Sequence, residues 1–188
     1  MKKKVLIITV SLFLAVLFLS TVGSIYTGNV VYTPDKTTLE NYPYPFIKNS
    51  IPNSLYIVIP DFPEMNEYQA AGRISRSLKN ANPIAPTIVR VSDLPEGHHN
   101  LIVVGNPCDN SIIAQLLKTT KCTGKLNEGE GLIKLVNSDR TNTLIVSGYN
   151  SEDLYKAALV LANYNVYPLL GKEIVISGTK NSPLLYYH

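Results

Sequence analysis

Several small groups of residues have types and spacings that could do chemistry. In "VGNPCDN", Val104 to Asn110, an apolar run ends at Gly105 and a polar turn presents Cys108; the chain's second cysteine is Cys122. A cysteine there could serve as a nucleophile, a metal ligand or half of a disulfide. The nucleophile needs a histidine partner and a lowered thiol pKa. The stretch "LPEGHHN" sets His98 beside His99. Zinc ligands usually come in close pairs such as C-x2-C or H-x3-H, and neither spacing occurs. Glu128 and Glu130 flank Gly129 in "LNEGEGLIKL". Alternation along a strand could turn both carboxylates to one face, the pairing that glycoside hydrolysis uses. In a glycine-rich turn such charge also serves solubility. Gly105-Asn106-Pro107 has the position of a phosphate-binding turn. It lacks both G-x-G-x-x-G and G-x-x-x-x-G-K-[ST], and Pro107 has no N–H to offer a phosphate. Asp109 and Asp153 lie near helix starts, where capping accounts for them.

The compartment decides among the cysteine readings. Lys2, Lys3 and Lys4 precede an uncharged run from Val5 to Gly23, "VLIITVSLFLAVLFLSTVG". A basic start before an apolar segment keeps the lysines inside and sends the rest of the chain outside. Residues 1–24 are a signal peptide or a transmembrane anchor. Val22 and Ser24 suit a cleavage site, whereas the apolar length approaches the ~20 residues that span a bilayer. Outside the cytoplasm two cysteines tend to pair. A Cys108–Cys122 bridge closes 15 residues counting both cysteines, for which chain entropy predicts ~3 kcal/mol. The bridge requires the short helix between them to stop near Lys118, so that the chain folds back.

The charge balance removes another class. The chain has 17 Lys+Arg against 14 Asp+Glu, a net +3 that Lys2, Lys3 and Lys4 supply by themselves. No basic stripe remains to suggest nucleic acid as a partner. No Asn-x-Ser/Thr sequon occurs, so ordinary N-glycosylation has no acceptor.

The elements that must position these residues follow from periodicity. Residues 25–53 carry Pro34, Pro43, Pro45 and Pro52 with scattered tyrosines and no sustained period. They read as an extended stalk, or an arm whose Tyr42 and Tyr44 pack on the body. An extracytoplasmic domain at 54–188 is a normal size for one core. "LYIVIP" (55–60), "TIVRV" (87–91), "LIVVG" (101–105) and "EIVIS" (173–177) read as strands. Leu132–Val136 and Thr143–Ser147 flank "NSDRTN" as a hairpin. Tyr68, Ala71, Ile74 and Leu78 make a helical stripe, Ser111–Lys118 is a short helix, and "NSEDLYKAALVLAN" (150–163) is a clear one. There Asn150 is the N-cap, Leu154, Ala157, Ala158 and Leu161 face a core, and Glu152, Lys156 and Asn163 face water. Strands alternating with helices predict an α/β fold. It is a single domain with a mixed, mostly parallel sheet flanked by about three helices, preceded by an N-terminal hydrophobic helix.

The residues also resemble a family. "NLIVVGNPCDN", then Cys122, "EGEGLIKLV", "LIVSGYNSEDLYKAALVLANY" and "LLGKEIVISGT" are similar to the C-terminal α/β module of archaeal S-layer-type surface proteins. That family shows a Gly-Gly-Pro-Cys-x-Asn turn, a second cysteine, an E-G-x-G-x-I-K strand and an A-G-Y-x-x-E-D helix start. The likeness spans roughly residues 100–179. Asn106 replaces the family's second glycine, and Leu154 stands where threonine is usual. The resemblance implies an archaeal cell surface and a non-enzymatic role, and it transfers no catalytic residue.

Three functions are therefore expected in order. The first is a non-enzymatic, membrane-tethered envelope protein with a structural or interaction role. It would be single-pass through residues 5–23, or secreted if the signal is cut, with envelope proteins or glycans as partners. The second is a cell-surface carbohydrate-binding module, as similar α/β modules sit beside catalytic domains in carbohydrate-active proteins. Its ligand would lie over the loops at strand C-termini, at Asn106, Asp109, Tyr149 and Asn150. The third is a hydrolase using Glu128 or Glu130. No cofactor and no metal is expected.

Overall fold

A computed structural model describes residues 37–188 apart from 50, 81–83 and 139. The apolar segment 5–23 expected as a helix, and residues 25–36 of the proline-rich stretch, lie outside the described residues. No helix among the described residues is long and apolar enough to cross a membrane.

The elements run β1 (Ile47–Lys48), β2 (Ile51–Pro52), β3 (Leu55–Ile59), α1 (Met65–Asn80), β4 (Thr87–Arg90) and β5 (Asn100–Val104). They continue with α2 (Ser111–Leu117), β6 (Gly131–Asn137), β7 (Asn142–Gly148), α3 (Ser151–Ala162), β8 (Glu173–Thr179) and β9 (Ser182–Tyr187). Strands β1 and β2 form a small hairpin. The other seven form one mixed sheet in the order β4-β3-β5-β7-β6-β8-β9. It is parallel from β4 to β7 and antiparallel from β7 to β9. The α/β class and the three flanking helices are as the periodicity predicts. Beyond "EIVIS" β8 runs on to Thr179, and the chain turns at Lys180 and Asn181 and returns as β9, an element that the sequence pattern does not announce. That strand enlarges the antiparallel half.

Alternate residues of each strand face opposite sides, and both sides are apolar over the parallel half. One side meets α1 through Ala70, Ala71, Ile74 and Leu78, and α3 through Leu154, Ala157, Ala158 and Leu161, all buried. Leu39, Tyr42 and Phe46 join the same core, so the described part of the proline-rich stretch behaves as an arm packed on the body. Tyr44, in contrast, is 43 % exposed. On the other side Val58, Val103 and Ile145 meet Ile113 of α2. A seven-residue helix is only about 10 Å long. It covers β3, β5 and β7 and leaves the face of β6, β8 and β9 to the loop that follows.

Two glycines are there because of close approach. A Cβ on Gly148 would lie 2.1 Å from the Leu154 backbone nitrogen, so α3 can sit on β7 only over a glycine. Gly105, at φ +141, turns the chain off β5 against Pro60.

Lys156 departs from expectation. It is 4 % exposed, and its amine donates to Asp153 Oδ1 (3.1 Å), Gly129 O (2.5 Å) and Gly178 O (3.1 Å). Asp153 Oδ2 in turn accepts from Gly129 N at 3.2 Å. A lysine counts as solvent-facing in a helical pattern, but three convergent acceptors satisfy all three of its donors. The side chain thus ties α3 to the turn before β6 and to the C-terminal end of β8.

Candidate functional site

The loops at the C-terminal ends of the parallel strands bring Asn106, Asp109, Tyr149 and Asn150 to one end of the sheet. Most of their polar groups already hold local structure. Asn106 Oδ1 accepts from Cys108 N at 2.8 Å, and its Nδ2 donates to the Asp109 carboxylate. Asn150 Oδ1 accepts from Asp153 N at 2.9 Å and caps α3. Asn110, fully buried, accepts from Ile112 N and donates to Val104 O, capping α2 and fastening the turn to β5. Of the four loop residues Tyr149 alone presents a large, partly exposed ring. Glu67 lies near Asp109 in the first turn of α1 and accepts from Glu64 N at 2.8 Å. Desolvation pushes its carboxyl above the ordinary glutamate value, and the charges of Asp109 and Glu64 add to the shift.

The remaining candidates resolve one by one. Cys108 and Cys122 form a disulfide with Cα atoms 4.7 Å apart. The fold-back it requires is present: α2 ends at Leu117, and Lys118 closes it in the left-handed region (φ 51, ψ 46). His99 Nδ1 meets Ser54 Oγ at 2.8 Å and its Nε2 meets Glu96 O, while His98 Nε2 lies 3.2 Å from Arg140. Each ring thus has its own protein contacts in its turn. Among the described residues no group of three or more His, Cys, Asp or Glu side chains could hold a metal. Glu130 accepts from Asn127 N at 2.8 Å and lines the groove described next. Glu128 is exposed in the turn and does not line it.

A groove of about 750 Å³ lies over the face that α2 leaves uncovered. Its floor is readable from the strand register. Ser147 of β7, Leu132 of β6, Val175 of β8 and Tyr186 of β9 stand opposite one another in a row. The adjacent row places Lys134 opposite Glu173, with the ion pair closed at 2.5 Å. The facing wall is the stretch from Lys118 to Asn127, which carries Lys118, Lys121 and Lys125. Consecutive turns hold it, with Gly124 N donating to Lys121 O and Leu126 N to Thr123 O, and the disulfide clamps it to the β5 loop.

Sequence reasoning missed these lysines and Tyr186. A signal was present, since "KTTKCTGK" packs three lysines into one turn region of a chain whose residues beyond Lys4 sum to zero charge. Tyr186 had none, because it belongs to the strand that was not foreseen.

No family model matches the chain, and no curated protein matches it. Among solved structures, that of CpGH84D is similar, with a TM-score of 0.44 and 16 % identity over 77 % of this chain. The chain spans 24 % of that protein's length. At that score the likeness carries no conclusion about activity.

Proposed function

We propose that the protein is a non-enzymatic module of the cell envelope, tethered by its apolar N-terminal segment, with the α/β domain outside and a structural or interaction role. The observation that carries this reading is the Cys108–Cys122 bond. Both cysteines are exposed, so the bond would persist only where cytosolic reductants do not reach it. The bond also has a structural task, clamping the loop after α2 to the loop after β5. That use of both cysteines accounts for them without catalysis. The basic start and apolar run of residues 2–23 supply the route outward.

Intact mass and thiol alkylation of native, unreduced protein, taken from separate membrane and soluble fractions, test the reading together. The expected result is an unlabelled chain in the membrane fraction with its N-terminal segment retained. Two labelled cysteines would sink the extracytoplasmic setting. A soluble chain beginning at Ile25 would replace the tether with a cleaved signal.

A further inference from the structure

We infer that the groove over β6, β8 and β9 binds an acidic saccharide, a chain whose sugars carry uronate or sulfate groups. The inference goes beyond the envelope role and concerns a different place from the strand C-terminal loops.

Charge is the first argument. Four lysines line the groove against two glutamates. Lys134 and Glu173 neutralise each other across neighbouring strands, and Glu130 is held by Asn127. The ammonium groups of Lys118, Lys121 and Lys125 have no ion partner among the described residues. Three unpaired cations therefore face the groove from one wall, which complements an anion.

The lining chemistry is the second. Accessible hydroxyl and amide groups such as Thr119, Thr123 and Asn127 lie beside the apolar side chains of Leu126 and Val175. A sugar ring has the same division into polar edges and apolar faces. Tyr186, 51 % exposed at the end of the floor row, offers a ring on which such a face can stack. The volume lies within the ~300–1,000 Å³ usual for small-ligand sites.

The rigidity of the cationic wall is the third. A binding wall on a mobile loop would lose affinity to ordering. This wall is fixed by successive turns and by a disulfide. Lys118 also occupies a left-handed position at the end of α2, where glycine or asparagine is usual.

Calorimetric titration of the full chain in a neutral detergent tests the proposal. The probes are an oligogalacturonate, a sulfated oligosaccharide, a neutral glucan of equal length and a poly-glutamate peptide. The expected result is binding of at least one acidic sugar, weakened by salt, with the glucan and the peptide at least about tenfold weaker. Lys121→Gln with Lys125→Gln should lose about tenfold or more in affinity, and Tyr186→Ala about tenfold. Lys48→Gln with Lys79→Gln, an equal charge loss outside the groove, should leave affinity unchanged. Circular dichroism confirms that each variant is folded. Binding of neither acidic sugar overturns the proposal, as does equal affinity for poly-glutamate or an equal loss in the control pair. The titration is indifferent to where the protein resides, so its failure leaves the envelope reading standing.

Discussion

Tyr42 and Glu67 are buried side chains with polar groups, and both invite a single-residue test. The Tyr42 ring packs edge-on against Tyr164 with centroids 5.1 Å apart, yet its hydroxyl has no hydrogen-bond partner among the described residues. Burial pushes that hydroxyl's pKa far up. Tyr42→Phe keeps the packing and deletes the unpaired group. Stability in a denaturant titration should rise by about 1 kcal/mol. A fall would mean that the hydroxyl is satisfied after all. Glu67 is 2 % exposed, and desolvation raises its carboxyl above the ordinary 4.5. A raised folded-state pKa means the folded protein holds the proton more tightly than the unfolded chain. The resulting stabilisation is complete below the unfolded value and is lost as pH rises through the folded value. Glu67→Gln imitates the protonated carboxyl and escapes that loss. Its stability relative to the native protein should therefore climb from roughly pH 4 to pH 7. A flat difference across that range would remove the desolvation account.

At the scale of the element, α3 combines an ordinary amphipathic face with one buried ion pair. Leu161 is fully buried in the larger core cluster, and Leu161→Ala should cost ~2–5 kcal/mol. Lys156→Met should cost ~3–5 kcal/mol, because Asp153 stays behind as a buried, unpaired carboxylate. Urea titration of both variants checks this. An inexpensive Lys156→Met would show that the network is wet. The bounds, N-cap and apolar stripe of α3 are legible in "NSEDLYKAALVLAN", since each depends on residues within a few positions of one another. The burial of Lys156 is not legible. Its acceptors at Gly129, in a turn, and Gly178, at the end of β8, are 27 and 22 positions away, and only the packed sheet brings them together. β9 was missed for a related reason. Its burial alternates weakly along an edge strand, so the pattern in "SPLLYY" carries little periodic signal.

For the whole molecule, the disulfide separates stability from fold. Cys108→Ala with Cys122→Ala should lower stability by ~3 kcal/mol without changing secondary structure, because the two core clusters contain neither cysteine. Far-ultraviolet circular dichroism with a denaturant titration reads both. A lost spectrum would make the bond part of the fold itself. The α/β class, the three helices, the hairpin of β6 and β7, and the pairing of Cys108 with Cys122 are legible along the chain. The elements rest on local periodicity and capping chemistry, and the pairing on there being two cysteines close in sequence. The groove, in contrast, exists only in the folded chain. α2 is too short to cover the sheet, β9 widens the face it leaves open, and register aligns Ser147, Leu132, Val175 and Tyr186 from four strands. The lysines opposite them are near one another in sequence, but what they face depends on strand pairings that reach to Tyr186 in β9. No local pattern encodes that juxtaposition, because it follows from how far one helix reaches across a sheet.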